Sequence, residues 1–337
     1  MDISNVVKTS TSHEFMRNKN VLVGTSRMVD GDIYLATTSM TIESVKVNYV
    51  PSLFKIYDEI IVNAVDHFIN CILKETIQHK CGEKSERYVN IIKINLNETG
   101  NFSVLNDGYG IPIIIHDKYK KYLPEVLFTE ERTGTNMDND ESRITGGTNG
   151  IGATTISAFS NNIKLTICDQ NKKYIQEAKM VGSELKFGPP IITDNTKNIQ
   201  YTNVSFTVNW KGTAYKSFTA KTKGLISNYV IKRLMQTSLY ARHVINTAKS
   251  LDIVPTTMVC PAISFNNLDI MTDFSEESMN ATFNMIKSFT VELVAKKPVA
   301  NKLATKLTLV IGVNDVSKPG YKEMSIINGV EVLHNPI

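Results

Sequence analysis

Polar side chains recur at fixed intervals in an otherwise apolar stretch from Asp58 to Asp66. Glu59 and Asn63 are four residues apart, so on a helix they share one face, and Asp66 lies one turn further along it. The residues between them are apolar, which predicts a largely buried helix. A buried carboxylate and a buried amide cost free energy unless a partner answers them. The stretch alone leaves open whether the partner is a buried hydrogen-bond network or a bound ligand.

A glycine-rich segment, Asn106 to Gly110, follows an alternating stretch that predicts a strand over 101–106. Glycine has no Cβ, so its backbone can come close to a flat ligand. Most Asn-Asp-Gly sequences are instead tight turns that end a strand. This segment is therefore consistent with a ligand-binding loop or with a plain turn.

A second glycine-rich segment, Thr145 to Ala153, precedes a stretch of small residues that predicts a helix from Thr154 to Ser160. Glycines ahead of a helix N-terminus supply backbone N–H groups and a positive dipole end, which is phosphate-binding chemistry. The segment is not a P-loop, because Ala153 stands where that motif has Lys and no Val- or Ile-rich strand precedes it. It also lacks the third glycine of a Rossmann motif, three residues after Gly152.

An acidic helix followed by these two segments resembles the nucleotide site of the GHKL superfamily, which includes type II topoisomerases, Hsp90 chaperones, MutL proteins and sensor histidine kinases. Tyr49 to Ala64 resembles the Y-V-P-G-L-x-K-I-x-D-E-I-L-V-N-A stretch of eukaryotic-type DNA topoisomerase II. Tyr122 to Phe128 is similar to that family's Y-V-P-x-L-I-F stretch, and Thr145 to Ala153 to its V-T-G-G-R-N-G-Y-G-A loop. Asn106 favours the eukaryotic-type branch, because gyrase and the other superfamily members carry Asp there. The likeness covers residues 45 to 337.

The resemblance implies an α+β fold in two domains. A GHKL (Bergerat) ATP-binding α/β sandwich is expected over residues 1–267, with an N-terminal arm over residues 1–25. The beginning of a ribosomal-protein-like α/β transducer domain is expected over residues 268–337, truncated before the family's Gln-Thr-Lys loop. Gln236-Thr237-Ser238 looks like that loop but is interpreted as ordinary helix surface. We expect this polypeptide to be an N-terminal fragment that hydrolyses ATP slowly or not at all by itself.

The resemblance also assigns roles to the acidic helix. Glu59 matches the general base that activates the attacking water, and Asn63 matches the Mg²⁺ ligand and a nucleotide contact. Asp66 matches a carboxylate that supports the site. The neighbouring His67 replaces the usual Asn or Glu and is interpreted as a histidine on the helix surface.

The remaining nucleotide contacts follow from the other motifs. Asn106 is expected to face adenine, and Ile111 is expected to pack against the face of the base. Thr202 is expected to lie on the strand behind the base. Thr135 and Asn136 match positions that touch the ribose. The triphosphate is expected to lie in the second glycine-rich segment, whose contact residues are Gly147, Asn149, Gly150, Ile151, Gly152 and Ala153.

Several positions depart from the family pattern. Thr154 stands where the family has a phosphate-contacting Lys, Gly134 replaces a ribose-contacting Ser, and Thr148 replaces an Arg. The N-terminal R-P-D-T-Y-I-G motif is degraded to the stretch from Asn18 to Gly24. Such drift suggests a divergent lineage, such as that of a large DNA virus or a protist.

The function that the resemblance implies is the ATP-hydrolysing N-gate of a type II DNA topoisomerase. Mg²⁺ and ATP are its expected cofactors, and a homodimer formed through the ATPase domains is expected to capture double-stranded DNA without sequence preference. The alternative is a GHKL clamp or chaperone-like dimerisation module without productive hydrolysis, but such a module has no need for a carboxylate at Glu59. A histidine kinase is disfavoured for the same reason.

Composition agrees with an intracellular globular protein, in the nucleus or, for a virus, in the host cytoplasm or virion. The 337 residues exceed one ordinary domain, and 42% hydrophobic with 21% charged residues is typical of soluble proteins. The net charge of +4 is a weak bias toward polyanions. Four scattered cysteines without a C-x-x-C motif indicate neither a zinc site nor a disulfide framework, and no membrane partner is expected.

Hydrophobic periodicity predicts the elements that position these residues. Helices are expected at 51–78 and 221–249. Strands are expected at 88–96, 101–106, 162–168, 173–180, 201–209, 288–296, 306–314 and 322–330.

Overall fold

The structure is a computed structural model that describes residues 24–81, 87–130, 152–182, 184–283, 287–294, 306–313, 325–327 and 330–332. Helices in these ranges are α1 (Pro51–Cys81), α2 (Leu123–Thr129), α3 (Gly152–Phe159), α4 (Ala220–Ser250) and α5 (Glu276–Phe283). The first strands are β1 (Val29–Ala36), β2 (Ile42–Tyr49), β3 (Ile91–Leu96), β4 (Asn101–Asp107), β5 (Ser160–Cys168), β6 (Lys172–Val181), β7 (Glu184–Phe187) and β8 (Ile191–Asp194). The others are β9 (Tyr201–Val208), β10 (Ala262–Phe265), β11 (Leu268–Asp269), β12 (Lys287–Val294), β13 (Lys306–Val313), β14 (Ser325–Ile327) and β15 (Val330–Val332).

Among the described strands, nine form one sheet in the order β11-β10-β3-β4-β9-β5-β6-β7, with β8 also paired to β6. Alternate residues of β4 are buried, namely Phe102, Val104 and Asn106, so one face of the sheet is covered. The Tyr57 ring of α1 packs on that face, with its centroid 4.7 Å from the Phe102 ring. The core therefore lies between this face of the sheet and the helices, and α1 runs over β4, the strand that carries Asn106.

Helix α1 begins at Pro51, whose fixed φ and missing N–H suit the first turn of a helix. Its apolar side chains are buried around most of its circumference, from Leu53 to Ile72. Periodicity predicted a helix over 51–78, and the observed helix extends it by three residues, to Cys81. Because α1 is enclosed by the sheet, α3 and α4, its polar residues can have only specific neighbours.

Helix α4 is held to α1 by a buried ion pair. Nε of Arg233 donates to Oδ1 of Asp58 at 2.5 Å, and Nη1 donates to Oε1 of Gln236 at 2.5 Å. Gln236, Thr237 and Ser238 are 0%, 1% and 4% exposed, so their interpretation as helix surface is wrong. The helix period alone could not reveal this, because the middle of α4 is buried on its polar side as well.

Two local predictions differ from the structure. The single strand expected at 322–330 is instead a hairpin, in which β14 pairs with β15 in antiparallel register. The intervening Asn-Gly pair is a typical hairpin turn sequence, and that signal was missed. The β1–β2 hairpin was not predicted either.

The boundary predicted at residue 268 falls inside the β10–β11 hairpin of the large sheet, and the division into two domains stays a prediction.

The buried Asp58–Arg233 pair makes a stability prediction. Asp58→Ala should lower the free energy of unfolding by about 3–5 kcal/mol, because it leaves the Arg233 charge buried without its partner. The double variant Asp58→Leu, Arg233→Met should lose much less, because neither charge remains. Urea denaturation at neutral pH measures both variants. A single variant within about 0.5 kcal/mol of the parent would contradict a structural role for the pair.

The same pair has a predictable pH dependence. Burial raises the pKa of Asp58, but the charges of Arg233 and Lys232 and the Arg233 hydrogen bond outweigh it and hold that pKa below its ordinary value of 3.8. A depressed carboxyl pKa stabilises the fold above the unfolded-state value and loses this contribution as the pH falls through the folded-state value. The stability advantage over Asp58→Asn should therefore persist at pH 5 and shrink only below about pH 4.

Candidate functional site

Glu59 lies on α1 with its side chain 16% exposed, and its Oε1 is 2.6 Å from Nζ of Lys55. Burial lowers the pKa of Lys55, but the charges of Glu59 and Asp58 and the Glu59 hydrogen bond raise it above its usual value. Lys55 therefore remains an ammonium that holds one carboxylate oxygen of Glu59. Sequence reasoning did not assign Lys55 a role, although its spacing of four residues from Glu59 is the signal for such a pair.

Gly152 places the beginning of α3 directly against the other carboxylate oxygen. A Cβ on Gly152 would lie 2.3 Å from Oε2 of Glu59 and 3.2 Å from its Cδ. Any other residue would therefore push the carboxylate away. The glycine thus lets the carboxylate stay where it is, and the close approach brings the positive end of the α3 dipole to Glu59.

Gly108 places the first glycine-rich segment on the same helix. It has a φ of +98°, and a Cβ on it would lie 2.9 Å from Nε2 of His67 and 2.9 Å from Cγ2 of Val89. His67 is half-buried and its Nε2 is 3.7 Å from Sγ of Cys71. The interpretation of His67 as a surface histidine is therefore wrong, because the turn at Gly108 covers its ring.

The two glycine contacts lie at separate points along α1. Glu59 touches Gly152 and His67 touches Gly108, and these α1 residues are eight positions, or about 12 Å, apart along the axis. Asn63 lies midway between them and is exposed. The expectation that Asn63 sits on a buried face is wrong, because the surrounding helices leave this position open. Its amide is consequently available to a ligand lying along the helix.

Asn106 and Thr202 are direct neighbours across β4 and β9. Asn106 is 6% exposed and lies on the helix-covered face with Val104, while its Nδ2 donates to the carbonyl of Asp107 at 3.0 Å. Thr202 is partly buried, and so is Ile111, which packs against the core after the glycine turn. The structure thus brings an amide, a hydroxyl and an apolar side chain to the end of β4 at which Gly108 meets α1.

Asp107 and Asp66 have neighbours within the protein. Oδ1 of Asp107 accepts hydrogen bonds from the backbone N–H groups of Asn90 at 2.7 Å and Ile91 at 2.9 Å. Asp66 is 5% exposed and lies near Tyr240 of α4, where burial and the Asp66 charge both raise the pKa of the tyrosine hydroxyl. Asp66 therefore faces α4, as suits a residue that supports the site.

Thr154 and Ala153 follow Gly152 in α3. Thr154 is fully buried, and its Oγ1 donates to the carbonyl of Glu130 at 3.2 Å, which ties α3 to the end of α2. Where the family pattern has a Lys, this chain therefore has a short hydroxyl side chain that joins two elements of the fold. Ala153 is partly buried against the core.

The other predicted contacts lie outside the described residues, namely Thr135, Asn136, Gly147, Asn149, Gly150 and Ile151. In the part of the chain that the structure describes, no group of three or more His, Cys, Asp or Glu residues could hold a metal ion. No helix within those same ranges is long and apolar enough to cross a membrane.

Comparison with known proteins shows which proteins this chain is similar to. No protein-family model matches the chain. It is 38% identical over 172 residues to DNA topoisomerase 2 of Meyerozyma guilliermondii, a match that spans 51% of this chain and 11% of that relative. The chain thus matches about a tenth of the length of this curated relative.

Solved structures share the fold. The ATPase region of Saccharomyces cerevisiae topoisomerase II is 25% identical with a TM-score of 0.62, over 82% of this chain and 64% of that chain. The ATPase and transducer domains of DNA topoisomerase II from Balamuthia mandrillaris give a TM-score of 0.67 at 19% identity, over 96% of this chain and 72% of that chain. The predicted resemblance and the α+β GHKL ATPase fold are confirmed.

Gly110 offers a direct test of the geometry around the first glycine-rich segment. A Cβ on Gly110 would lie 1.9 Å from the carbonyl oxygen of Cys168 and 2.5 Å from its carbonyl carbon. Gly110→Ala should therefore lower the free energy of unfolding by about 2 kcal/mol or more, since backbone must move. Gly224→Ala is the matched control, because nothing lies within 4 Å of its Cβ position on α4. That control should be neutral or stabilising, by up to about 1 kcal/mol. Equal effects in denaturant melts would contradict the described contact.

Proposed function

We propose that this chain, a homologue of the DNA topoisomerase 2 proteins with the fold of their ATPase region, binds ATP with Mg²⁺ and supplies the residues that hydrolyse it in the whole protein. In the whole protein this activity would drive the N-gate of a type II DNA topoisomerase. ATP binding would join two such domains around a double-stranded DNA segment. Hydrolysis would reopen them, and the chain would act inside the cell.

The observation that carries this proposal is the contact of α1 with both glycine-rich segments. Gly152 meets Glu59, Gly108 meets His67, and the intervening stretch of about 12 Å presents the exposed Asn63. An extended nucleoside triphosphate can span that stretch, with its base at the β4 end and its terminal phosphate at the α3 end. The helix N-terminus at Gly152 suits the anionic end of such a ligand.

The base would lie beside Asn106 and Thr202. An amide offers both a donor and an acceptor, so Asn106 can pair with the adenine edge without placing a charge in a site that is 6% exposed. Ile111 would floor the ring. The ribose contacts proposed for Thr135 and Asn136 and the phosphate contacts proposed for Gly147, Asn149, Gly150, Ile151, Gly152 and Ala153 complete the site.

The donors on α1 fit Mg²⁺. This cation takes oxygen ligands, keeps several waters and bridges phosphates, and Asn63 supplies an exposed amide oxygen one turn from the Glu59 carboxylate. Bound there, Mg²⁺ would neutralise charge on the β- and γ-phosphates. Asn63 would hold it, while Glu59 would remain free for water.

Glu59 is the proposed general base. Its Oε1 is fixed by Lys55 at 2.6 Å, and its Oε2 points to the start of α3, where the terminal phosphate would lie. A water held by Oε2 could lose its proton to the carboxylate while it attacks phosphorus. Lys55 would keep the carboxylate oriented, and Asp66 would support the helix from the α4 side.

A nucleotide-controlled clamp without productive hydrolysis is the alternative. It needs the same binding site but gives Glu59 no role. The close approach of Gly152 to Oε2 favours hydrolysis, because it aims the carboxylate at the phosphate end of the proposed site.

The variant Glu59→Gln distinguishes an ATP-hydrolysing site from a clamp that only binds nucleotide. Gln preserves the shape and can still contact Lys55, but it cannot accept a proton. We therefore expect near-normal ATP binding and hydrolysis slower by about 10²–10⁴-fold, measured in single turnovers with the whole protein in excess over ATP. Glu98→Gln, an exposed partner of Lys223, is the control and should leave the rate unchanged. A Glu59→Gln rate within about twofold of the parent would remove the base role.

Asn63→Ala tests the proposed metal ligand. Its loss should weaken binding of a non-hydrolysable ATP analogue in Mg²⁺ by about tenfold, while binding in EDTA should hardly change, because the lost contact runs through the cation. Fluorescence titration in both buffers measures this difference. Equal weakening in both would mean that Asn63 contributes to structure or to the nucleotide directly.

A further inference from the structure

A cavity of about 330 Å³ lies beside the C-terminal half of α4, and none of the proposed nucleotide contacts lines it. Its walls come from α4, from the segment before β10 and from the segment before α5. Arg242, Asn246 and Lys249 line it from one face of α4, because they are four and three residues apart. The cavity is therefore lined on one side by cationic and amide groups.

Neither cation forms a salt bridge with a carboxylate in the described part of the chain, although the Arg242 charge acts on the nearby Asp273. Nε of Arg242 donates to the carbonyl of Thr272 at 2.9 Å, which fixes the guanidinium and leaves its two terminal nitrogens without a described acceptor. Lys249 forms no ion pair within those same ranges. Burial raises the pKa of the Cys260 thiol, while Arg242 and Lys249 both oppose that rise, so both cations lie near this thiol.

One carboxylate, that of Asp273, also lines the cavity. Its Oδ1 accepts from the backbone N–H of Ser275 at 2.9 Å and from the Ser275 hydroxyl at 2.6 Å, so it belongs to the turn that starts α5. Two cations against one carboxylate leave a net charge of +1. Hydrogen bonds from Ser275 and, to a smaller extent, the charge of Arg242 lower the pKa of Asp273, so this carboxylate offsets part of the Arg242 charge and the excess positive charge rests mainly on Lys249.

A simpler role for Lys249 is to complement the dipole at the end of α4. The last carbonyl groups of that helix already accept backbone hydrogen bonds: Ala248 from Leu251 at 3.3 Å, and Lys249 from Asp252 at 3.1 Å. The Lys249 ammonium is therefore not required to satisfy them. Helix capping does not account for Arg242 at all, because it lies two turns earlier.

Apolar side chains complete the lining, namely Ile245 from α4, Met258 from the segment before β10 and Phe274 from the segment before α5. An inorganic anion would use only the cationic groups and leave these side chains against water. A cavity at the small end of the range for ligand sites, with both cationic and apolar side chains in its lining, suits a small organic anion.

We propose that this cavity binds a small organic oxyanion, a carboxylate or a phosphate ester, with Arg242 and Lys249 on its charged end and Ile245, Met258 and Phe274 around its carbon body. The site is separate from the proposed ATP site. Its failure would leave the roles of Glu59 and Asn63 untouched.

Cys260 provides a built-in reporter. Iodoacetate and iodoacetamide both alkylate a thiolate: the S–C bond forms, iodide leaves, and the thiol proton passes to buffer. Only iodoacetate carries a carboxylate into the cavity. We expect its rate relative to iodoacetamide to be about fivefold or more higher at Cys260 than at glutathione, since each nearby cation contributes about threefold. Peptide mapping isolates the modification of Cys260 from the other cysteines.

Variants show which cations raise the iodoacetate-to-iodoacetamide rate ratio at Cys260. Arg242→Gln and Lys249→Gln should each lower the iodoacetate-to-iodoacetamide ratio about threefold. Lys221→Gln, an exposed change on the first turn of α4, is the matched control and should leave it unchanged. A parent ratio equal to that of glutathione, or one unaffected by Lys249→Gln, would overturn the proposal. The Lys249→Gln variant tests the proposal even if loss of the Arg242–Thr272 hydrogen bond disturbs the folding of the Arg242 variant.

Competition distinguishes the ligand source. At constant ionic strength, phenyl phosphate and phenylacetate should protect Cys260 at lower concentrations than inorganic phosphate and acetate do. Equal protection by the organic and inorganic anions would contradict the role of the apolar side chains. No protection by any of them at tens of millimolar would reject the site.

Discussion

The contact of α1 with two glycines is the constraint on which the proposed site depends. Neither Gly108 nor Gly152 leaves room for a Cβ, so each glycine-rich segment is seated on a particular residue of the helix. The site is therefore built from one rigid element, and its two ends are held at a fixed separation. A shift or rotation of α1 would change both ends together, which is why the packing behind the helix matters for function.

That packing is electrostatic as well as apolar. Glu59 and Asp58 are adjacent carboxylates on α1, and each has its own cation: Lys55 at 2.6 Å from Glu59, and Arg233 at 2.5 Å from Asp58. Arg233 is 1% exposed and is the largest fully buried side chain of the described core. Because Arg233 of α4 forms the ion pair with Asp58, Lys55 can form its ion pair with Glu59. The buried pair thus keeps a structural charge separate from the proposed catalytic one.

Much of this architecture could be predicted from sequence. The apolar period of α1, the alternation in β4 and the glycine-rich segments gave the elements, and the family motifs joined them into one site. The pairing of Asn106 with Thr202 needed the sheet register, which no local pattern encodes across 96 residues. The burial of Gln236 and the partial burial of His67 were missed for a related reason. Their surroundings come from elements distant in sequence, so a polar side chain was interpreted as surface.

Thr154 illustrates how a departure from a motif can be explained by packing. In the sequence, Thr154 stands where the family has a phosphate-binding Lys. In the structure, its hydroxyl joins α3 to the end of α2 at Glu130. The two ends of the segment between those helices are therefore tied by one hydrogen bond. Nucleotide contacts in this chain would rest on backbone N–H groups and on Asn63 to a greater extent than in proteins with that Lys.

The most direct measurement is a crystal structure of this chain with a non-hydrolysable ATP analogue and Mg²⁺. The account predicts adenine beside Asn106 and Thr202, the metal on Asn63, and the γ-phosphate at the start of α3 with a water between it and Oε2 of Glu59. A nucleotide bound in the reverse direction, or away from α1, would contradict it.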